Sequence, residues 1–296
     1  MISIKELSNK ILDEYNKNHG SDGRFSSGSS GGSSSDFLSK EEIEKINAAV
    51  DIKASIGSKG VSRIQLVAKM TSSAEGKMTS KWAEGWCADT NSKEALQQVI
   101  IRNKLAGLSD THGMTEKQTD ALKHFRESAS GTDRKSVIFK NQGYDLEITP
   151  QQLKAGAIYQ HYNQEMARQH LSFDNKTELE VFRGVHGTYS GEINKLAKDG
   201  NAKVQMSSLS SFTSDKDVAK RFMNGFYTPP TSDDRSMLVA KIKPENIWDS
   251  HYSSKALGQV RGQGYDEIVT MDGKTNTLTV KVEASKFKSM FEQEEN

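Results

Sequence analysis

The spacing of apolar residues predicts helices in the first half of the chain. Three capping boxes indicate where helices begin: Ser39–Glu42, Thr115–Gln118 and Thr149–Gln152. In such a box, a Ser or Thr hydroxyl accepts a hydrogen bond from a first-turn amide, and a Glu or Gln three positions later accepts one from the amide of the capping residue. Residues 94–105 also carry apolar side chains at helical spacing. Residues 37–170 are therefore predicted to form a mainly helical region.

The segment before this region combines a short helix with a flexible tract. Apolar positions between Ile4 and Tyr15 have the spacing of a short amphipathic helix. A Gly/Ser-rich tract then runs from His19 to Ser35. Such tracts stay flexible because they lose much backbone entropy on ordering and bury no apolar surface. Residues 1–36 are therefore predicted to be a short helix and a flexible tail.

Alternating apolar and polar positions predict strands in the second half of the chain. The predicted strands cover residues 178–183, 236–243, 266–271 and 277–282. The last two flank Asp272-Gly273, a dipeptide typical of tight hairpin turns. One helix is predicted over residues 215–226, with Ser214 as its N-cap. A helical region followed by strands indicates an α+β fold, with residues 171–296 as the sheet-rich domain.

Composition and charge narrow the classes of function. The 296 residues include 40 Lys and Arg against 39 Asp and Glu, for a net charge of +1. This balance lacks the basic excess that general nucleic-acid binding requires. No run approaches the ~18 apolar residues of a membrane-spanning helix, and the N-terminus lacks the features of a secretory signal. We expect a cytoplasmic protein with no membrane partner.

Standard catalytic and metal-binding motifs are absent from the sequence. It contains no P-loop, no GxGxxG after a strand, no HExxH and no GxSxG. The 7 His residues do not pair at helical ligand spacing, so no metal site is expected. The single cysteine, Cys87, excludes an internal disulfide and is expected to be a packed small residue rather than a nucleophile.

Three segments of the second half place an arginine, a serine and a glutamate in that order. The segments are Phe182-Arg-Gly-Val185, then Ser211-Phe-Thr213 followed by Val218-Ala219 and Phe222, and then Gly262-Gln-Gly-Tyr-Asp-Glu267. Over about residues 171–285, this order resembles the R-S-E class of mono-ADP-ribosyltransferases. The resemblance implies a split β-sandwich that binds NAD, as its substrate, in a cleft between the sheets.

The resemblance gives each of these residues a role. Arg183 would bind the pyrophosphate of NAD, since a guanidinium fork pairs with phosphate oxygens. Gly184 would bind the nicotinamide carboxamide, and Ser211 would hold the nicotinamide ribose. Glu267 would stabilise the positive charge that develops on the ribose as nicotinamide leaves. The predicted catalytic residues are thus Arg183, Ser211 and Glu267, and the predicted NAD-binding residues are Arg183, Gly184, Ser211, Thr213 and two aromatics expected over the nicotinamide, Phe226 and Tyr227.

The loop before Glu267 departs from the pattern of the family. In members that modify arginine, the residue two positions before the catalytic Glu is usually Glu. In members that modify asparagine, glutamine or guanine bases, it is often Gln. Here that position is Tyr265, with Asp266 after it and Gln263 two positions before it. These three residues form the predicted acceptor loop, and the choice between a protein and a nucleic-acid acceptor stays open.

The leading hypothesis is a mono-ADP-ribosyltransferase that moves ADP-ribose from NAD to a host macromolecule, with a protein favoured. The stretch Asp22-Gly-Arg-Phe-Ser-Ser-Gly28 resembles a segment of head-associated proteins of tailed bacteriophages. This implies a phage-borne, toxin-like effector that associates with a phage particle and acts in the host cytoplasm. The alternatives are an NAD glycohydrolase with the same site, and a non-catalytic structural protein of the phage head.

Overall fold

The computed structural model describes six ranges of the chain, which hold both helices and strands. The ranges are residues 34–51, 63–170, 178–225, 234–250, 267–271 and 277–286. Their α-helices are α1 Lys40–Asp51, α2 Arg63–Met70, α3 Ser73–Ala88, α4 Lys93–Leu105, α5 Glu116–Ser130, α6 Arg134–Asn141, α7 Pro150–His170, α8 Thr188–Leu196 and α9 Lys216–Met223. Their strands are β1 Leu179–His186, β2 Asn201–Gln205, β3 Leu209–Thr213, β4 Asp234–Ile242, β5 Ile247–Ser250, β6 Glu267–Met271 and β7 Thr277–Lys286. Two 3-10 turns lie at Ser34–Phe37 and Pro244–Asn246.

The three predicted capping boxes are confirmed at the starts of α1, α5 and α7. The hydroxyls of Ser39, Thr115 and Thr149 accept hydrogen bonds of 3.2, 3.2 and 3.1 Å from the amides three positions later. The reciprocal bonds from the capping amides to the Glu or Gln side chains measure 2.8, 3.0 and 2.9 Å. Each box satisfies two backbone amides that the helix itself leaves without a partner, so the helix starts are determined locally.

The strands form one antiparallel sheet in the order β2-β7-β4-β1-β3-β6-β5. Strand β1 pairs with β4 along its whole length, from Leu179↔Ile242 to His186↔Arg235. In contrast, β1 pairs with β3 at one position alone, Phe182↔Thr213. The described sheet therefore consists of two strand groups, β2-β7-β4-β1 and β3-β6-β5, which are joined by a single residue pair.

The predicted hairpin around Asp272-Gly273 is wrong. Strand β6 pairs with β3 and β5, whereas β7 pairs with β4 and β2. The two strands thus belong to different strand groups, although only residues 272–276 separate them in the chain. A turn dipeptide acts locally, and here the pairing of both strands with distant partners outweighs it.

The helical region and the sheet share their core, and the predicted α+β class is confirmed. Leu209 of β3 and Trp248 of β5 lie in a buried cluster made otherwise of residues from before position 170. Conversely, Ala167 of α7 lies in the buried cluster of the sheet. The two parts therefore pack on each other across the predicted boundary between residues 170 and 171. The predicted tail, residues 1–36, lies outside the described residues up to position 33.

None of the helices in the described ranges combines the length and apolar content that crossing a bilayer requires.

Helix α7 contacts α1 through a histidine whose pKa is shifted. Nε2 of His161 lies 3.2 Å from Oδ1 of Asn47. Burial lowers the pKa of the His161 imidazole below its usual value, because a charged ring is poorly solvated there. Protonation therefore favours the unfolded chain. His161 contributes stability that is complete above its unfolded pKa and is lost as the pH falls through the folded pKa.

We predict that His161→Gln weakens the pH dependence of stability between about pH 7.5 and pH 5.5. Glutamine can still hydrogen-bond Asn47 but takes up no proton in this range. Urea unfolding at the two pH values measures the effect, with His124→Gln at an exposed position of α5 as the control. Identical pH dependence in the wild type and in His161→Gln would contradict the assignment.

Candidate active site

The fold brings the strands of the three predicted catalytic residues next to one another. Arg183 lies on β1, Ser211 on β3 and Glu267 at the start of β6, and these strands are adjacent in the order β1-β3-β6. Thr213 is the Cα partner of both Phe182 and Glu267. Phe182, Thr213 and Glu267 thus form one row across the sheet. Glu267 lies in this row, Arg183 lies one residue from it along β1, and Ser211 lies two residues from it along β3.

An interruption of the sheet lies beside this row. Beyond the pair Phe182↔Thr213, residues 183–186 of β1 and residues 209–212 of β3 are not paired with each other. Their other edges are paired, with β4 and with β6 respectively. We call the space bordered by residues 183–186 and 209–212 the candidate cleft. Arg183 lies on one side of it and Ser211 on the other.

The side chain of Arg183 is half-buried, and its guanidinium lies near an aromatic ring. Its guanidinium carbon lies 5.9 Å from the ring centroid of Phe212, the residue between Ser211 and Thr213. Because side chains alternate along a strand, those of Ser211 and Thr213 leave β3 on the face opposite to Phe212. The Arg183 guanidinium therefore lies on the Phe212 face of β3, whereas the Ser211 side chain leaves β3 on the opposite face.

Tyr189 is the second aromatic residue near Arg183. Burial raises the pKa of the Tyr189 phenol above its usual value, and the positive charge of Arg183 acts in the opposite direction. The tyrosine keeps 40% of its surface exposed. Gly187 makes this approach possible: with a φ of 73°, it allows the sharp change of direction between β1 and α8.

The sequence did not indicate Tyr189: the aromatic partner of nicotinamide was predicted after the later helix, at Phe226 and Tyr227. Both of those residues lie outside the described residues. The available signal was an aromatic residue in the first turn of the helix that directly follows the arginine strand.

Gly184 is required where β1 passes under α9. A Cβ atom at this position would lie 1.9 Å from the carbonyl oxygen of Ala219 and 2.4 Å from the amide nitrogen of Met223. Both are backbone atoms of the helix, which cannot move aside as a flexible side chain can. The glycine therefore sets how closely α9 packs on β1. Its predicted contact with nicotinamide stays a prediction.

Helix α9 begins one residue later than the sequence suggested. Its N-cap is Asp215, not Ser214: the Asp215 carboxylate accepts hydrogen bonds of 2.8 and 3.3 Å from the amides of Asp217 and Val218. The hydroxyl of Thr213, a buried residue, in turn accepts a 3.0 Å bond from the Asp215 amide. Thr213 thus has a structural role at this turn, and its predicted role in NAD binding is untested.

Several predicted residues fall outside this description. The predicted acceptor loop, Gln263, Tyr265 and Asp266, lies outside the described residues, and for Glu267 the structure describes the backbone alone. Within the described ranges, no group of three or more His, Cys, Asp or Glu side chains is placed to hold a metal ion.

Comparison with known families identifies the class of the protein as an ADP-ribosyltransferase. The matching model is that of the dinitrogenase reductase ADP-ribosyltransferase (DRAT) family, over residues 68–228. The match covers more than half of the 296 residues, and the chain belongs to this family. ADP-ribosyltransferases use NAD as their substrate. Among curated proteins and solved structures, none matches the chain.

The matched range crosses from the helices into the sheet. It begins within α2 and includes β1, β3 and α9, and therefore both Arg183 and Ser211. The helical region, for which the sequence suggested no function, is thus part of the family match.

We predict that Gly184→Ala destabilises the protein by about 1–3 kcal/mol, the usual cost of overpacking a core. Thermal or urea unfolding measures the change. The matched control is Gly131→Ala. Gly131 has a φ of −72°, and a Cβ atom there would meet only side-chain atoms of Ser136 and Asp133 within 3.1 Å. We expect the control to cost less than Gly184→Ala, because the side chains of Ser136 and Asp133 can shift, whereas the backbone of α9 cannot. Equal stability of the two variants would refute the close packing of α9.

Proposed function

We propose that this protein is a mono-ADP-ribosyltransferase of the R-S-E class that transfers ADP-ribose from NAD to a protein. One observation carries the proposal beyond the family match: Arg183, Ser211 and Glu267 lie on three adjacent strands, near one row of the sheet. These residues are 84 positions apart from first to last (267 − 183). Nothing in their sequence spacing alone requires that they meet.

The chemistry of each residue suits its proposed role. Arg183 offers the guanidinium fork that suits the pyrophosphate of NAD. Ser211 holds the nicotinamide ribose, and the carboxylate of Glu267 stabilises the positive charge that the ribose gains as its bond to nicotinamide breaks. The acceptor nucleophile then bonds to this ribose carbon and loses its proton. Free nicotinamide is the other product.

The single pair between the two strand groups supports the split β-sandwich. A cleft for an extended dinucleotide requires that neighbouring strands separate while the fold stays in one piece. In the described sheet, that separation occurs between β1 and β3, the strands of Arg183 and Ser211. Tyr189 lies at the same end of β1 and provides an aromatic surface near the arginine.

A protein acceptor is favoured by the name of the family, which describes transfer to dinitrogenase reductase. The loop with Tyr265 in place of the usual Glu or Gln leaves the modified side chain open. The phage origin, the association with a phage particle and the location in a host cytoplasm stay predictions.

We predict that Glu267→Gln lowers ADP-ribose transfer by about 100-fold or more, while NAD affinity changes little. Glutamine keeps the shape of the side chain but removes the negative charge that the transition state needs. The assay follows labelled NAD with a bacterial lysate or purified dinitrogenase reductase as acceptor, and measures both protein-bound label and free nicotinamide. Calorimetry measures NAD binding.

Glu180→Gln on β1 is the matched control, because Glu180 is an exposed glutamate of the same sheet. Near-normal transfer by Glu267→Gln would contradict the proposed triad. Release of nicotinamide without labelled protein would instead assign the activity to an NAD glycohydrolase. No turnover by the wild type with any acceptor would support the non-catalytic alternative.

We predict that Arg183→Ala weakens NAD binding by about 10- to 100-fold, the loss expected for hydrogen bonds to a charged group. Arg221→Ala, on the exposed surface of α9, removes the same charge and should leave the NAD affinity unchanged. Calorimetric titration with NAD compares the two variants. Equal affinities would show that Arg183 does not bind the dinucleotide.

A further inference from the structure

The strand that flanks the start of β6 is held by a buried polar network. Strand β5 lies at the edge of the sheet and pairs only with β6 among the described strands. Its last register pair, Ser250↔Ile268, lies next to Glu267. The position of β5 therefore affects the position of the β6 backbone that carries Glu267, the proposed catalytic residue.

Strand β5 contains a bulge at Trp248. The register runs from Ile247↔Thr270 directly to Asp249↔Val269, so Trp248 has no partner residue on β6. A bulge allows two consecutive side chains to point in nearly the same direction. Trp248 and Asp249 are 0% and 6% exposed, and both contact the helical region.

Asp249 is bound through both carboxylate oxygens. Oδ1 accepts a 2.7 Å bond from Nη1 of Arg63 at the start of α2, and Oδ2 accepts a 2.5 Å bond from the hydroxyl of Tyr159 on α7. Asn163, one turn further along α7, donates a 2.8 Å bond to the carbonyl of Trp248. The same asparagine accepts a 3.0 Å bond from Arg63. Two helices therefore hold consecutive residues of the bulge.

This network is poorly explained by stability alone. Arg63 is 0% exposed, and its Nε and Nη2 atoms have no hydrogen-bond partner among the described residues. Burying a charge with unsatisfied donors is costly, and well-packed apolar residues often stabilise a core at least as well. What a charged pair provides, and apolar packing does not, is a directional constraint on one carboxylate and on its strand.

We propose that Tyr159 and Asp249 are positioning residues for Glu267, which act by fixing the bulged strand β5 beside β6. The inference rests on the proposed function, since it assigns the network a role in the same reaction. Through it, the helical region sets the position of β5, and thereby of the β6 backbone that carries Glu267.

Tyr159→Phe tests the proposal with the least disturbance. It removes the hydrogen bond to Asp249 but keeps the ring, whose centroid lies 4.1 Å from the Arg63 guanidinium carbon and 5.1 Å from the Trp82 ring. We expect kcat to fall by about 10- to 100-fold, as for other small displacements of catalytic groups, with unchanged KM and Kd for NAD. A matched control is Thr79→Val, which also removes a buried hydroxyl, here bonded 2.9 Å from the carbonyl oxygen of Gly76 in α3.

The double variant Tyr159→Phe/Glu267→Gln separates positioning from a general loss of structure. If Tyr159 acts through Glu267, its substitution lowers the residual nicotinamide release of Glu267→Gln no further. Additive losses, or an equal loss of kcat in Thr79→Val, would overturn the proposal. Asp249→Asn serves as a second variant, with the same expected loss of kcat, provided that circular dichroism shows it to be folded.

The outcome also separates this inference from the proposed function. If Glu267→Gln abolishes transfer while Tyr159→Phe keeps the wild-type kcat, the inference alone fails. If Glu267→Gln keeps full activity, the proposed triad itself is wrong.

Discussion

The ion pair between Arg63 and Asp249 is the constraint on which the arrangement of the molecule depends. It joins the first residue of α2 to the edge strand β5 at 2.7 Å, in a region from which water is excluded. Removing one partner of such a pair costs about 3–5 kcal/mol, because the other charge stays buried and unpaired. Helices and sheet are therefore held together by more than apolar contact, and neither part is expected to keep its geometry without the other.

Aromatic packing surrounds this pair and extends it through the core. The Tyr159 ring packs against both Trp82 and Trp248, with ring centroids 5.1 and 5.5 Å away, and the two tryptophan centroids are 6.4 Å apart. Gln98 links the two tryptophans, because it donates to the carbonyl of Trp82 and accepts from the indole of Trp248. The family match begins at residue 68 and so includes Trp82, Gln98 and Tyr159. Arg63, Trp248 and Asp249 lie outside the matched range.

The single pair between β1 and β3 is the second constraint, and it concerns the proposed chemistry. A continuous sheet would close the space between Arg183 and Ser211, whereas two unconnected sheets would leave it undefined. The pair Phe182↔Thr213 holds the two strand groups together next to Glu267, which pairs with the same Thr213. Residues 183–186 of β1 and residues 209–212 of β3 are not paired with each other. Gly184 and α9 then hold β1 from one face, so the position of the arginine strand is fixed by packing as well as by pairing.

Local signals in the sequence determined the starts of α1, α5 and α7, the positions of β1, β4, β6 and β7, and the order of the three candidate residues. The capping boxes at Ser39, Thr115 and Thr149 were predictable because each involves groups only three residues apart. The sequence did not determine strand partners: Asp272-Gly273 predicted a hairpin, yet β6 and β7 pair with distant strands in different groups. Nor could it reveal Tyr189 beside Arg183 or the bulge at Trp248, since both follow from contacts between elements far apart in the chain. Such contacts depend on which surfaces are buried together, and that is decided only when the whole core forms.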